Sequence, residues 1–318
     1  MRIITQSQAE LIDALLAEKD VGGLTAAILE KDIHVTEALQ MLANFYFPQI
    51  GLVFCGGTSL SKAHLMIERM SEDVDLKMVF EDGNIKSRNA IKVQLGRFKK
   101  NVIAAMEQLG FVPDETGFTT LNENRYFSTT WLYQSRYATD FSLRPHLRLE
   151  FTLRVPVCPP KPISMTYLVY QKAEILEGRF SMMCVTIEEI LAEKVLSFLR
   201  RHAQHRSGHM QQWDTALVRH IYDVFCIVTA DANAVTKAKW HFKDLVKFDV
   251  LELSQHDEFV EDPRECLRNA LTVAELEEQT KNEYQTKLLP LIYGENRPDF
   301  VDAFNVFKHC AIALIDTL

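Results

Sequence analysis

Asp73 and Asp75 lie in Ser71-Glu72-Asp73-Val74-Asp75-Leu76-Lys77-Met78, where apolar and polar residues alternate strictly. In a strand, Val74, Leu76 and Met78 face a core while Asp73, Asp75 and Lys77 share the other face. Two carboxylates one strand repeat apart can grip one divalent cation. Mg2+ takes one or two protein carboxylates and fills its other positions with water and nucleotide phosphates. Just upstream, Leu52, Val53 and Phe54 form a short apolar run ending at Gly56 and Gly57, the pattern of a buried strand stopping at a turn. Two glycines permit positive φ and close approach of another group to the main chain. Thr58 and Ser59 add hydroxyls and a helix start, followed by Leu60, Ala63, Ile67 and Met70 at helical spacing. Free backbone N–H groups at a helix N-terminus are a natural seat for phosphate.

The elements around this stretch are read from periodicity. Residues 6–20 and 33–47 carry helical patterns, with Leu11, Leu15 and Leu16 in the first and Val35, Leu39 and Leu42 in the second. Phe45, Tyr46 and Phe47 read as core packing rather than a base-stacking platform. Glu81-Asp82-Gly83-Asn84 signals a turn. A basic amphipathic helix follows from about Ser87 to Leu109, carrying Arg88, Lys92, Arg97, Lys99 and Lys100. Its simpler reading is a solvated face, its sharper one a contact for RNA phosphates. Strands are expected over 125–133 and 147–155. In the second, Glu150 stands on the polar face with Arg148, Thr152 and Arg154. Cys158-Pro159-Pro160-Lys161-Pro162 breaks regular structure, residues 164–185 can add strands, and the rest is helical. Thr186-Ile187-Glu188-Glu189 reads as a capping box. In the helix it opens, Lys194 falls on the apolar stripe of Ile187, Ile190, Leu191 and Phe198, where a buried ammonium needs a partner.

At 318 residues, with 47% hydrophobic and 25% charged content, the chain is an ordinary globular protein of about two domains. No apolar run approaches the ~20 residues of a membrane span, and MRIITQSQAE lacks a signal-peptide pattern, so the expected compartment is the cytoplasm. The six cysteines are scattered and suggest neither a zinc site nor a disulfide framework. The formal charge of −8 confines any nucleic-acid contact to a local basic patch.

Strand, Gly-Gly-Thr turn, helix and Asp-x-Asp strand in this order resemble the nucleotidyltransferase superfamily. GGTSLSK followed by RMSEDVDL is similar to the AbiEii/AbiGii toxins of type IV toxin–antitoxin and phage abortive-infection systems. The resemblance covers most of the chain to about residue 230. It implies an α+β fold: a nucleotidyltransferase-like mixed sheet with flanking helices over 1–180, then a helical domain over 181–318 completing the active-site cleft. It implies transfer of a nucleoside monophosphate from an NTP to RNA, a tRNA 3′ end, with inhibition of growth or phage propagation. Asp73 and Asp75 would hold Mg2+; Gly56, Gly57, Thr58, Ser59 and Ser71 would bind the nucleotide, with Lys62 assisting. The superfamily usually places a third acidic residue where Glu150 stands, to bind metal or accept a proton; the residues equally allow an ion pair of Glu150 with Arg148 or Arg154.

A later family motif has a lysine on a helix, an arginine-rich segment and a helix of the form Arg-Asp-x-Tyr-Asp-Leu. Lys194 matches the lysine, Arg200, Arg201 and Arg206 the basic segment, and Arg219-His220-Ile221-Tyr222-Asp223-Val224 the second helix, with His220 replacing the first aspartate. Lys194 would then neutralise triphosphate and Asp223 orient Lys194 or the acceptor. His202, His205, His209 and His220 read as solvated loop histidines rather than a metal site, able to join the arginines in an RNA-binding patch. The family also implies a separately encoded antitoxin, and the lack of a long apolar run leads to the expectation of no membrane association. Two other readings fit the same residues: transfer to a protein or small-molecule hydroxyl, and a catalytically silent nucleotide- or RNA-binding module.

Overall fold

Two apolar-polar alternations, over 74–78 and 147–151, become neighbouring central strands of one mixed sheet. The computed structural model describes residues 1–80, 87–138, 143–208, 213–253 and 255–318. Its chain divides into two compact units, Met1–Leu65 with Met70–Pro156 and Pro160–Val185, and Met66–Arg69 with Val157–Pro159 and Thr186–Leu318. The turn read at Glu81-Asp82-Gly83-Asn84 lies outside the described residues, as does His209.

In chain order the first unit contains α1 (Gln6–Glu18), α2 (Ala26–Ala43), β1 (Ile50–Cys55), α3 (Gly56–Lys62), β2 (Asp73–Phe80), α4 (Arg88–Gln108), β3 (Val112–Pro113), β4 (Thr119–Leu121), β5 (Tyr126–Leu132), β6 (His146–Leu153), β7 (Lys161–Met165), α5 (Leu168–Lys172) and β8 (Phe180–Cys184). Among the described residues the sheet has eight strands in the order β3-β5-β6-β2-β1-β8-β7, with β4 on β5. β2 runs antiparallel to β1 and parallel to β6. Its apolar face, Val74, Leu76 and Met78, joins Leu147, Leu149 and Phe151 of β6 and the buried stripe of α4, Leu95, Phe98, Val102 and Met106, in one core. Phe98 is its aromatic centre, edge-on to Phe151 at 5.8 Å, to Phe47 at 5.4 Å and to Phe45 at 5.9 Å. Phe45 and Phe47 are therefore core residues, while Tyr46 between them is 84% exposed.

Two helices differ from the periodicity. α2 begins seven residues before the apolar pattern, because Thr25 caps it and because Glu30, Lys31 and Asp32 are buried charges with partners. Charged letters hid the buried face. α3 starts at Gly56 and stops at Lys62. Ile67 and Met70 are buried but not helical; Leu65 takes φ 53°, and residues 66–69 belong to the second unit.

The second unit is helical: α6 (Ile187–Arg206), α7 (Val218–Ala230), α8 (Asn233–Glu252), α9 (Asp257–Glu261), α10 (Pro263–Leu276), α11 (Glu278–Glu283), a π-helical turn over Tyr284–Leu288, and α12 (Phe300–Ile315). α6 packs on α7, α8 and α10. Thr186 stands at the N-cap of α6, but its side chain makes no cap bond. The expected capping box does not close, because Glu189 turns inward and accepts the Cys158 backbone N–H at 2.8 Å. α10 shows the more regular start, with Asp262 capping the Glu265 N–H and Pro263 at the first turn. Among the described residues no helix is long and apolar enough to cross a membrane. All six cysteines are buried single thiols.

Candidate functional site

Gly56 takes φ +75°, and a Cβ added there would lie 2.7 Å from the Asp75 carboxylate carbon. Only glycine admits the carboxylate so close to the β1–α3 turn. Thr58, buried in α3, donates its hydroxyl to the Asp73 backbone carbonyl and accepts that of Ser71, with Oγ1 and Oγ 2.9 Å apart. The first turn of α3 is thereby tied to the start of β2. The parallel register sets Asp75 opposite Glu150 and Asp73 opposite Arg148. Asp73, Asp75 and Glu150 thus belong to the partly exposed polar face of two adjacent strands.

Each carboxylate already has a defined surrounding. Arg144 Nη1 donates to both Asp73 oxygens, at 2.8 and 3.1 Å. Glu150 pairs with Arg148 at 2.9 Å and accepts the Tyr126 hydroxyl at 3.1 Å. Burial, with the Glu150 charge adding to it, raises the Tyr126 phenol pKa and keeps it a donor. The ion pair with Arg148 and the place beside Asp75 are both realised. Three carboxylates on one half-open face, one seated against a glycine backbone, supply oxygens of the kind a hard divalent cation takes.

Other residues expected at this site lie differently. Lys62 turns its ammonium to buried Asp32 at 2.5 Å, and Asp32 also accepts the Leu168 N–H at 2.7 Å. With a carboxylate partner and a side chain only 6% exposed, Lys62 braces α3 against α2. Ser59 is fully buried beside the Cys184 thiol. Gly57 is buried and Ser71 partly exposed.

The second unit gathers another charged group. Asp223 on α7 is fully buried, takes Arg69 Nε at 2.8 Å and Nη2 at 2.7 Å, and pairs with Lys194 of α6 at 2.9 Å. Burial alone would raise its pKa, but the Arg69 and Lys194 charges outweigh that and hold the carboxyl well below the usual range. Lys194 therefore does have a partner on its apolar stripe, and that partner is Asp223. Burial, reinforced by Lys194, holds the His220 imidazole neutral. Sequence reasoning passed over Arg69 as an individual residue; its signal was an arginine four residues before Asp73, between the apolar Ile67 and Met70.

The basic segment is mostly committed. Arg200 pairs with Asp249 at 3.0 Å and Arg201 pairs with Asp214. His202 is neither solvated nor in a loop: it is buried on α6 and bonded to Glu277 at 3.0 Å, and His205 also lies on α6. One grouping had no sequence signal: His256, Glu258 and Cys266 bring ligand-type atoms within 4.8 Å of one another. Burial pushes the Cys266 thiol up to about 11, so it is protonated at neutral pH.

Residues 38–306 match the AbiEii family, described as nucleotidyl transferase toxins of a type IV toxin–antitoxin system. Among curated proteins none matches. Solved structures with similar architecture include JHP933 from Helicobacter pylori, at 12% identity over 90% of this chain and 93% of that one, TM-score 0.43. Another is MenT4, the nucleotidyltransferase toxin Rv2826c from Mycobacterium tuberculosis H37Rv, at 19% identity over 73% of this chain and 77% of that one, TM-score 0.36. Both likenesses are distant.

Proposed function

Because the chain belongs to the AbiEii nucleotidyl transferase toxin family of type IV toxin–antitoxin systems, we propose that it transfers a nucleoside monophosphate from an NTP to an RNA 3′ end, that of a tRNA. Membership implies an NTP substrate and a separately encoded antitoxin; Mg2+, a tRNA acceptor and the cytoplasm are part of the proposal. The observation that carries it is the placing of Asp73, Asp75 and Glu150 on one polar strand face, with Asp75 against the backbone of Gly56.

Asp73 and Asp75 would hold Mg2+, which when bound neutralises triphosphate charge and favours in-line attack at the α-phosphorus. Backbone N–H groups of Gly56 and Gly57 serve the phosphates. Thr58 and Ser71 act by fixing the turn to β2, so that both sets of groups keep one geometry. Glu150, hydrogen-bonded by Tyr126 and paired with Arg148, would accept the proton of the attacking hydroxyl or complete the cation's donor set. Lys194 is assigned to the triphosphate by family resemblance, with Asp223 and Arg69 fixing its ammonium.

The test is incubation of the protein with each α-32P-labelled NTP, Mg2+ and total tRNA, beside Asp75→Ala. Label should enter RNA with the unmodified protein alone. Normal turnover by Asp75→Ala would sink the assignment of the metal-binding carboxylates. Label in protein or small molecules would move the acceptor elsewhere, and nucleotide binding without transfer would leave a binding module.

A further inference from the structure

Arg144 is held from three directions. Its backbone N–H donates to Glu72 Oε1 at 2.5 Å, its carbonyl accepts Lys31 Nζ at 2.7 Å, and its guanidinium lies on Asp73. Glu72 and Lys31 are each 1% exposed and stand 3.8 Å apart. Burying two such charges is costly unless their partners are well placed. Here Lys31 is spent on the main chain around one residue, since it also donates to the carbonyl of His146, while Glu72 holds the Arg144 backbone N–H and lies 4.0 Å from its guanidinium Nε. Burial lowers the Lys31 pKa to about 8, against the raising effect of Glu72 and Asp73, so it remains cationic at neutral pH. The clamp fixes the backbone and leaves the side chain 37% exposed, beside a carboxylate offered to a cation.

Asp73 has two oxygens, and Arg144 Nη1 takes both. A divalent cation at Asp73 competes for the same lone pairs. The guanidinium keeps its charge when the carboxylate is given up, and it has donors to spare: among the described residues Nη2 has no partner. A permanently charged planar group beside the metal carboxylates matches the phosphate oxygens that follow such a cation into a site.

Resting on the transferase reading, we infer that Arg144 is a triphosphate-binding residue that exchanges Asp73 for phosphate when a divalent cation binds, with Lys31 and Glu72 as its positioning residues. The exchange explains why a lysine-glutamate pair is buried under the main chain here. It also predicts opposite effects of one substitution on two ligands.

The experiment titrates Mn2+ alone, and inorganic tripolyphosphate in the presence of Mn2+, into the full chain and into R144Q, R144K and D75N, by calorimetry. R144Q should bind Mn2+ more tightly than the unmodified protein, because Asp73 loses its competitor. The same variant should lose tripolyphosphate affinity by about tenfold, the loss of a charge-assisted contact, and R144K should fall between. Unchanged tripolyphosphate affinity in R144Q, or weaker Mn2+ binding, overturns the inference while leaving the transferase reading standing. If Mn2+ binding by the unmodified protein is indifferent to D75N, the metal-site assignment fails, and the inference with it.

Discussion

Asp223 divides one carboxylate between a guanidinium and an ammonium, with all three groups nearly sealed from water. Removing its charge leaves two buried cations facing each other, and breaking such a pair costs about 3–5 kcal/mol. Asp223→Asn should therefore lower the denaturation midpoint markedly, as read by urea unfolding. The pH dependence has a definite sign. The folded pKa lies below the ordinary 3.8, so the carboxylate's contribution is present above 3.8 and is lost as pH falls toward the folded value. The unmodified protein should lose stability over that acid interval, and Asp223→Asn should show a shallower slope there. An equal slope in the two proteins would show that Asp223 is not the group responsible. At this scale the sequence was legible where a charge broke a pattern, as Lys194 did on its apolar stripe. Lys31, Glu72 and Arg144 were illegible because their partners are backbone atoms and residues far along the chain, which no local spacing records.

The β1–α3–β2 segment works because its turn is glycine and its helix is short. Gly56→Ala meets two penalties: a left-handed backbone without glycine, costing of order 1 kcal/mol, and a Cβ in the place of the Asp75 carboxylate. The protein should lose stability modestly and transferase activity almost completely, a disproportion seen by comparing thermal unfolding with label incorporation into RNA. A variant with near-normal turnover would show that the Asp75 position is not set by this turn. β2 and β6 were legible in the sequence because half-buried strands alternate. The length of α3 was not, since buried Ile67 and Met70 keep helical spacing while lying outside the helix. Nor was the open capping box of α6, since Glu189 is drawn to a backbone N–H thirty-one residues away.

The proposed RNA acceptor would have to approach a molecule of net charge −8, so its docking would depend on where positive charge remains uncommitted. Arg200 and Arg201 are paired with carboxylates. On α8 the lysines around exposed Trp240 are partly matched too, Lys237 with Asp231 at 3.6 Å and Lys247 with Asp244 at 3.1 Å. On α4, Arg88 meets Glu123 and Lys99 meets Thr120, which leaves Lys92, Arg97 and Lys100 exposed along one helix. Such exposed cations fit both readings of α4, a solvated face and a contact for RNA phosphates, and salt dependence separates the two. Each contact contributes about 0.7 to the slope of log affinity against log salt for a single strand and about 0.9 for a duplex. Replacing Arg97 and Lys100 together by glutamine should therefore lower the slope for tRNA binding by about 1.4 to 1.8. KM for the NTP should stay where it was, because neither residue belongs to the carboxylate face. If binding across a salt series is parallel for the two proteins, α4 is a solvated surface, and the acceptor must be held by contacts that add little net charge.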